Sequence, residues 1–375
     1  MGGGISAVRD DEEWQQQVRQ RLLAWFEKHR RPLPWRQTRN PYAILVSEIL
    51  LQQTTVEAAR PFFERFLQRF PTIHDLAKAS LDEVLQVWAG IGYYARARHL
   101  HEAAKRIVEE FGGHIPSDFE TLLQLPGIGR YTAGAIASIA FGKRVPALDT
   151  NAIRVLSRLL GWRGDPKSTT FQKRLWDAAT ALLPDEAPGE FNQALMDLAA
   201  LICLPEAPEC PLCPLQPLCA AAASGVPEQF PTLPQRRRWR KRREVACVIW
   251  REGYLLVAQR AEGWWQGLWE CPRGEMLPDE SPLNAAERLA SERLGLTVTA
   301  QAILTTLTHT VTVHRITLTA VECRYLSGEL RLQGYQDARW LPLEEAQRLP
   351  SPSPQKDLLA FLTHQRRLGR QASLF

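Results

Sequence analysis

No segment of the 375-residue chain approaches the eighteen or more consecutive apolar residues that a membrane-spanning helix needs, which excludes a span. No secretory leader is visible either. The opening Met1-Gly2-Gly3-Gly4-Ile5-Ser6 fits the spacing of a lipidated N-terminus. The acidic Asp10-Asp11-Glu12-Glu13 that follows opposes an anionic membrane, so the match reads as chance. A disulfide framework is also lacking: seven cysteines are an odd number, and Cys247, Cys271 and Cys323 are scattered along apolar stretches. On these absences the protein is expected to be cytosolic and reduced. With 45% hydrophobic and 23% charged residues the composition is globular, and the length suffices for two domains with separate cores.

The remaining cysteines form one cluster, Cys203, Cys210, Cys213 and Cys219, spaced C-x6-C-x2-C-x5-C. Four thiolates in one short loop can close around an inorganic centre. Zinc usually takes two C-x2-C knuckles, and here there is one such pair with longer arms, which favours a [4Fe–4S] cluster. The net charge of +5 is unevenly placed: Arg236, Arg237, Arg238, Arg240, Lys241, Arg242 and Arg243 crowd together around Trp239. Such a run is either a solvated linker or a surface along a phosphate backbone, and the two readings stay open.

The hydrophobic period divides the chain. Residues 1–223 read as helices: Asn40-Pro41 opens one, Ser117 and Glu120 form a capping box ahead of Leu122, and Pro71, Pro116 and Pro184 punctuate. A linker is expected over 224–243. From 244 to 365 the period changes to two, with a hairpin around Glu252-Gly253 and helices near 283–294 and 354–367, and a tail is expected over 366–375. The fold class is therefore multidomain, all-α followed by α+β.

Between two helices lies Leu125-Pro126-Gly127-Ile128-Gly129-Arg130, a helix–hairpin–helix pattern. Its glycines permit a tight turn and close backbone approach, and the helix that follows offers free N–H groups to an anion. Glu48 sits among Ile44, Leu45 and Ile49; a carboxyl on an apolar face loses solvation and becomes a plausible proton donor near neutrality. Asp149 precedes the helix near 151–160, where aspartate is a natural N-cap. Capping and catalysis need not compete there, since a capping carboxylate stays ionised and oriented. One acid and one anion flanking a glycosidic bond is the division of labour used by sugar hydrolases.

L-P-W-R at 33–36, S-E-I-L-L-Q-Q-T at 47–54, G-I-G-Y-Y-A-R-A-R at 90–98, L-P-G-I-G-R-Y-T-A-G at 125–134, F-N-Q-A-L-M-D at 191–197 and the cysteine loop together resemble the MutY family of adenine DNA glycosylases, in the endonuclease III superfamily. The resemblance covers nearly the whole chain. It implies excision of adenine mispaired with 8-oxoguanine or guanine in double-stranded DNA, after the base is flipped from the stack. It implies Glu48 as the acid, Asp149 as the stabiliser or captor of the sugar cation, and Tyr131 and Asn151 as their hydrogen-bond partners. Trp35, Arg36 and Gln193 would line the adenine pocket; Gln53 and Tyr93 would fill or wedge the stack, while Tyr94 reads better as core. Gly127, Gly129 and Arg130 would hold phosphate. The enzyme would act as a monomer in the cytoplasm, associated with the nucleoid. Endonuclease III carries a lysine nucleophile where this chain has Tyr131, and a phenol forms no imine, so strand cleavage should be weak. Thr150 departs from the glycine frequent in MutY.

Gly274-x5-Glu280-x7-Arg288-Leu289-x2-Glu292-Arg293-x-Gly295 resembles a Nudix box with two core glutamates replaced. Magnesium needs several oxygen ligands, so pyrophosphatase chemistry should be gone. In MutY the Nudix-like domain recognises 8-oxoguanine. Here Thr312 matches the hydroxyl of the recognition loop, and His314 is displaced by one residue, which on a strand would turn it to the other face; His309 or His314 could substitute. The rival readings are an endonuclease III-like pyrimidine glycosylase/lyase, a nucleotide pyrophosphohydrolase and a non-catalytic lesion-binding protein.

Overall fold

The computed structural model describes residues 11–232 and 239–372, without the side chains of 367–372. The acylation-like start and Arg236, Arg237 and Arg238 of the basic run lie outside the described residues. Contacts divide the chain into two compact units, residues 1–78 with 99–235, and residues 79–98 with 236–375.

The helices are α1 (Glu12–His29), α2 (Pro41–Leu51), α3 (Val56–Arg69), α4 (Ile73–Lys78), α5 (Leu81–Trp88), α6 (Ala95–Phe111), α7 (Phe119–Leu123), α8 (Arg130–Phe141), α9 (Thr150–Leu159), α10 (Thr169–Leu182), α11 (Pro188–Leu201) and α12 (Ala220–Ala223). Asn40 caps α2, its side chain accepting from the N–H groups of Tyr42 and Ala43, with Pro41 in the first turn. The capping box expected at Ser117 is not used. Asp118 caps α7 instead, accepting from Thr121 N–H at 2.9 Å and from its hydroxyl at 2.8 Å. Leu22 and Phe26 of α1 pack with Leu156 of α9, Leu175 of α10 and Leu195 and Leu198 of α11. Each such side chain removed from water contributes roughly 1.5–3 kcal/mol.

In the second unit, strands β1 (Arg240–Arg251), β2 (Tyr254–Arg260), β3 (Trp269–Glu270), β4 (Arg273–Glu275), β5 (Leu296–Val311), β6 (His314–Gly328) and β7 (Tyr335–Leu341) form one mixed sheet, ordered β3-β2-β1-β6-β5, with β4 on β1 and β7 on β2. Strands β1 and β6 run parallel. Alternate residues of β1 face opposite cores. Val245, Cys247 and Ile249 pack with Leu289 and Leu294 of α13 (Pro282–Leu294), and Ala246 and Val248 with Leu358, Leu359 and Leu362 of α15 (Ser353–Ala372). Between them lies the short α14 (Leu343–Ala346). Glu252 and Gly253 both take positive φ, 50° and 87°, as a two-residue hairpin turn requires.

Further sequence expectations change: the tail expected from 366 is helical through Ala372. Residues 240–243, read as the end of a linker, are strand. Residues 79–98, read with the helical half, group with the second unit, where buried Tyr94 donates its hydroxyl to Ser351 O at 3.1 Å. Pairing between β5 and β6 continues to Val311 and His314, so Thr312 and Val313 form a two-residue turn, Thr312 at φ 55°. A histidine displaced by one residue would face away along a strand, but strand alternation does not hold across a hairpin tip. His314 packs at a tilt against Trp264 and His309 against Trp265, ring centroids 5.2 and 5.7 Å apart and planes 45° and 41° apart.

Candidate active site

Helix α2 is apolar nearly all round, and every residue from Tyr42 to Leu50 is buried. Glu48 is therefore embedded rather than placed on one apolar stripe, and is 5% exposed. Tyr131, in the first turn of α8, donates its hydroxyl to Glu48 Oε2 at 2.7 Å. Burial pushes the Glu48 carboxyl up to about 7; the Tyr131 hydrogen bond and the charge of Arg36 oppose the shift, and Asp149 adds to it. Tyr131 is itself held well above its ordinary value, first by burial and then by the charge of Glu48, so it stays a donor.

Asp149 is the N-cap of α9. Its Oδ1 accepts from the N–H groups of Asn151 at 3.1 Å and Ala152 at 2.7 Å, and its Oδ2 accepts from Asn151 Nδ2 at 2.7 Å. Three donors and a helix N-terminus fix the carboxylate in place. Asn151 in turn accepts from Arg154 Nη1 at 3.2 Å, and Arg154 Nε donates to the carbonyl of Cys203 at 2.9 Å. The chain of contacts links the capped aspartate to the cysteine loop.

A cavity of about 810 Å³ joins these groups. Glu48, Tyr131, Asp149 and Asn151 line it, and so do Trp35, Arg36, Gln53 and Gln193. Sequence reading missed three neighbours: Arg31 and Met196 on the wall, and Asp197 behind it. Tyr131 Oη lies 3.8 Å from Met196 Sδ. Asp197 is wholly buried and accepts from Arg31 Nε at 2.6 Å and from Arg36 Nη1. The D that closes the motif F-N-Q-A-L-M-D was visible, but nothing local named its partners.

The other expected residues lie outside this cavity. Gly127 takes φ 74° and an added Cβ would meet His99 Cβ at 2.6 Å. Gly129 differs from the expectation: at φ −89° and ψ 177° its backbone is extended, and open space surrounds it at the N-cap of α8. Arg130 packs its guanidinium over Trp176 at 4.1 Å. Tyr93, in the second unit, is 50% exposed at φ 48°.

The four clustered cysteines are unpaired and half-buried, and the charge of Cys203 acts on Cys210, Cys213 and Cys219 alike. Burial pushes the Cys213 thiol up to about 12. Buried Arg158 donates to Cys203 Sγ at 3.4 Å, a cation placed to offset thiolate charge. Among the described residues no three metal-ligating side chains converge as a single ion requires. Four thiols along one short loop, with a buried cation beside one of them, are a donor set that fits an iron–sulfur cluster. In the second unit Arg288 occupies both remaining acids of the Nudix-like box, bonding Glu280 at 2.7 Å and Glu292 at 2.9 Å, while Leu289 is core. No helix among the described residues is long and apolar enough to cross a membrane.

A buried carboxyl and a capped carboxylate thus share one cavity of a helix–hairpin–helix scaffold, the scaffold of a class of base-excision repair proteins. Residues 46–180 match the HhH-GPD superfamily of base excision DNA repair proteins, and residues 245–361 match the NUDIX domain. Over 313 residues the chain is 38% identical to an adenine DNA glycosylase of Rattus norvegicus, covering 69% of this chain and 61% of the relative. The adenine DNA glycosylase of Homo sapiens is likewise 38% identical over 314 residues, 69% of this chain and 58% of the relative. The chain thus spans about three fifths of these relatives' length. A solved thermostable thymine-DNA glycosylase shares 32% identity and a TM-score of 0.52, covering 56% of this chain and 98% of that one. The chain belongs to the helix–hairpin–helix superfamily of base excision DNA repair proteins, and its two-domain architecture matches that of the MutY-type adenine DNA glycosylases it resembles.

Proposed function

We propose that this protein excises adenine opposite 8-oxoguanine or guanine from double-stranded DNA by hydrolysing the N-glycosidic bond. The observation that carries the reading is Glu48, a buried carboxyl held near pH 7 in the same cavity as the capped Asp149. Near neutrality Glu48 retains a proton that it can pass to a ring nitrogen of the flipped base. The protonated base then leaves with the electron pair of the glycosidic bond. Positive charge develops on the sugar, where the Asp149 carboxylate stabilises or transiently captures it. Water completes the sugar carbon and returns a proton to Glu48. Trp35, Arg36 and Gln193 line the cavity that would receive the base.

Tyr131 offers no amine, so cleavage of the strand should be slight. Gln53 and Tyr93 are exposed and suited to enter the opened stack, and Thr312 at the hairpin tip carries a hydroxyl for the lesion base. The N-terminus of α8 at Gly129 would take a phosphate. Cys203, Cys210, Cys213 and Cys219 would hold a [4Fe–4S] cluster, whose contribution is to fix the loop that they span. A monomer acting on DNA in the cytoplasm fits this set.

The test uses duplexes carrying A:8-oxoguanine, A:G or thymine glycol, with and without alkali. Free adenine, with breaks arising chiefly after alkali, is the expected result. Breaks at thymine glycol alone overturn the reading in favour of a pyrimidine glycosylase/lyase.

A further inference from the structure

Behind the base cavity, α11 presents a carboxylate from which solvent is wholly excluded. Asp197 Oδ1 accepts from Arg31 Nε at 2.6 Å; Asp197 Oδ2 accepts from Arg36 Nη1 and from Arg31 N–H at 3.2 Å. Both arginines line the cavity and Asp197 does not. The Arg36 side chain makes no other hydrogen bond among the described residues, so its Nε and Nη2 remain undirected by protein, and its guanidinium lies over Phe26 at 5.6 Å. A buried carboxylate that holds one edge of each fork turns the other edges toward whatever fills the cavity.

We propose that Asp197 is a positioning residue of the base-excision site, fixing and partly neutralising the Arg36 guanidinium beside Glu48. The inference rests on the function proposed above. The groups facing Glu48 are Tyr131 from α8, Asp149 from the cap of α9, and Arg36. Those near Arg36 are Asp197 and Arg31 and, around a second cavity that Arg36 also lines, Arg30, Arg39, Asp185 and Glu190. Asp197 bonds Arg36 directly and Arg31 shares the same carboxylate, so both act on the acid through Arg36, whose cation favours the ionised carboxylate. Removing the anion strengthens that pull. Removing Arg31 leaves Asp197 to Arg36 alone and weakens it.

The experiment is single-turnover adenine release from an A:8-oxoguanine duplex over about pH 5 to 9, with the full chain. In the unaltered protein the rate falls as pH rises through about 7, where Glu48 loses its proton. Asp197→Asn should move that fall to lower pH by about one unit, and Arg31→Met should move it upward. A buried cation stripped of its partner destabilises the fold, so thermal unfolding accompanies each profile. If Asp197→Asn does not fold, Arg31→Met decides alone. Rates that drop with the pH dependence unmoved in every folded variant assign Asp197 to scaffolding and overturn the proposal. No adenine release from the unaltered protein instead overturns the function on which it rests.

Discussion

Gln53 and Tyr93, expected at the opened stack, and Thr312, expected at the lesion base, share a backbone property that sequence could not show. Their φ values are 56°, 48° and 55°, in the left-handed region that non-glycine residues seldom adopt. Such strain persists where surrounding structure enforces it, and it gathers at sites of contact and catalysis. Glu48 carries another form of local cost. Its folded-state value of about 7 lies above the ordinary 4.5. Below the lower value the acid is protonated whether folded or not and contributes nothing to pH dependence. As pH rises between the two, the unfolded chain releases the proton first and stability falls; above the upper value the full penalty stands, at most roughly 3 kcal/mol. Glu48→Gln keeps an acceptor for Tyr131 and removes the ionisation. It should lower adenine release by at least about a hundredfold, while raising the melting temperature at pH 8 more than at pH 5. Equal melting shifts at both pH values would show that Glu48 is not held protonated by burial.

At the scale of elements, the turn before α8 separates two glycines that look alike in sequence. Gly127 is needed for its conformation and for the close approach of His99. Gly129 is extended with nothing near it, so its value lies in the space left at a helix N-terminus. Gly127→Ala should cost about 1–2 kcal/mol of stability from the left-handed backbone alone and weaken DNA binding with it. Gly129→Ser should change stability by only a few tenths of a kcal/mol, since serine caps well, yet still weaken binding by filling the phosphate's place. Melting temperatures and duplex affinities of the two variants separate these roles; equal loss of binding and stability in both would deny Gly129 a phosphate. The same contrast shows what sequence makes legible. Asn40-Pro41 before α2, Glu252-Gly253 between β1 and β2 and Asp149 before α9 are signals carried by adjacent residues, and each element starts or turns there. Asp118 displaced Ser117 as a cap because two neighbouring capping residues compete within one step of chain. The tie between Arg31 and Asp197 spans 166 positions, and only the assembled helices reveal it.

At the scale of the whole molecule, the net charge of +5 has its densest expression at the start of β1. What read as a linker is partly strand, and parallel pairing sets Lys241 directly opposite Arg315 of β6, with Arg243 two residues along. All three are exposed, and none has an ion-pair partner among the described residues. Like charges on facing residues of neighbouring strands repel, so the row costs stability in the free protein. An anionic backbone would reverse that cost by replacing repulsion with phosphate contacts and released counterions. A Lys241→Gln/Arg315→Gln pair should therefore fold at least as stably as the unaltered chain and bind duplex DNA more weakly. Its dependence of log affinity on log salt should be shallower by roughly one for each phosphate no longer neutralised. Because phosphates carry no base identity, the weakening should be alike for A:8-oxoguanine and undamaged duplexes. An unchanged salt slope would place this row against solvent, and would leave any DNA binding by the basic run to its other members.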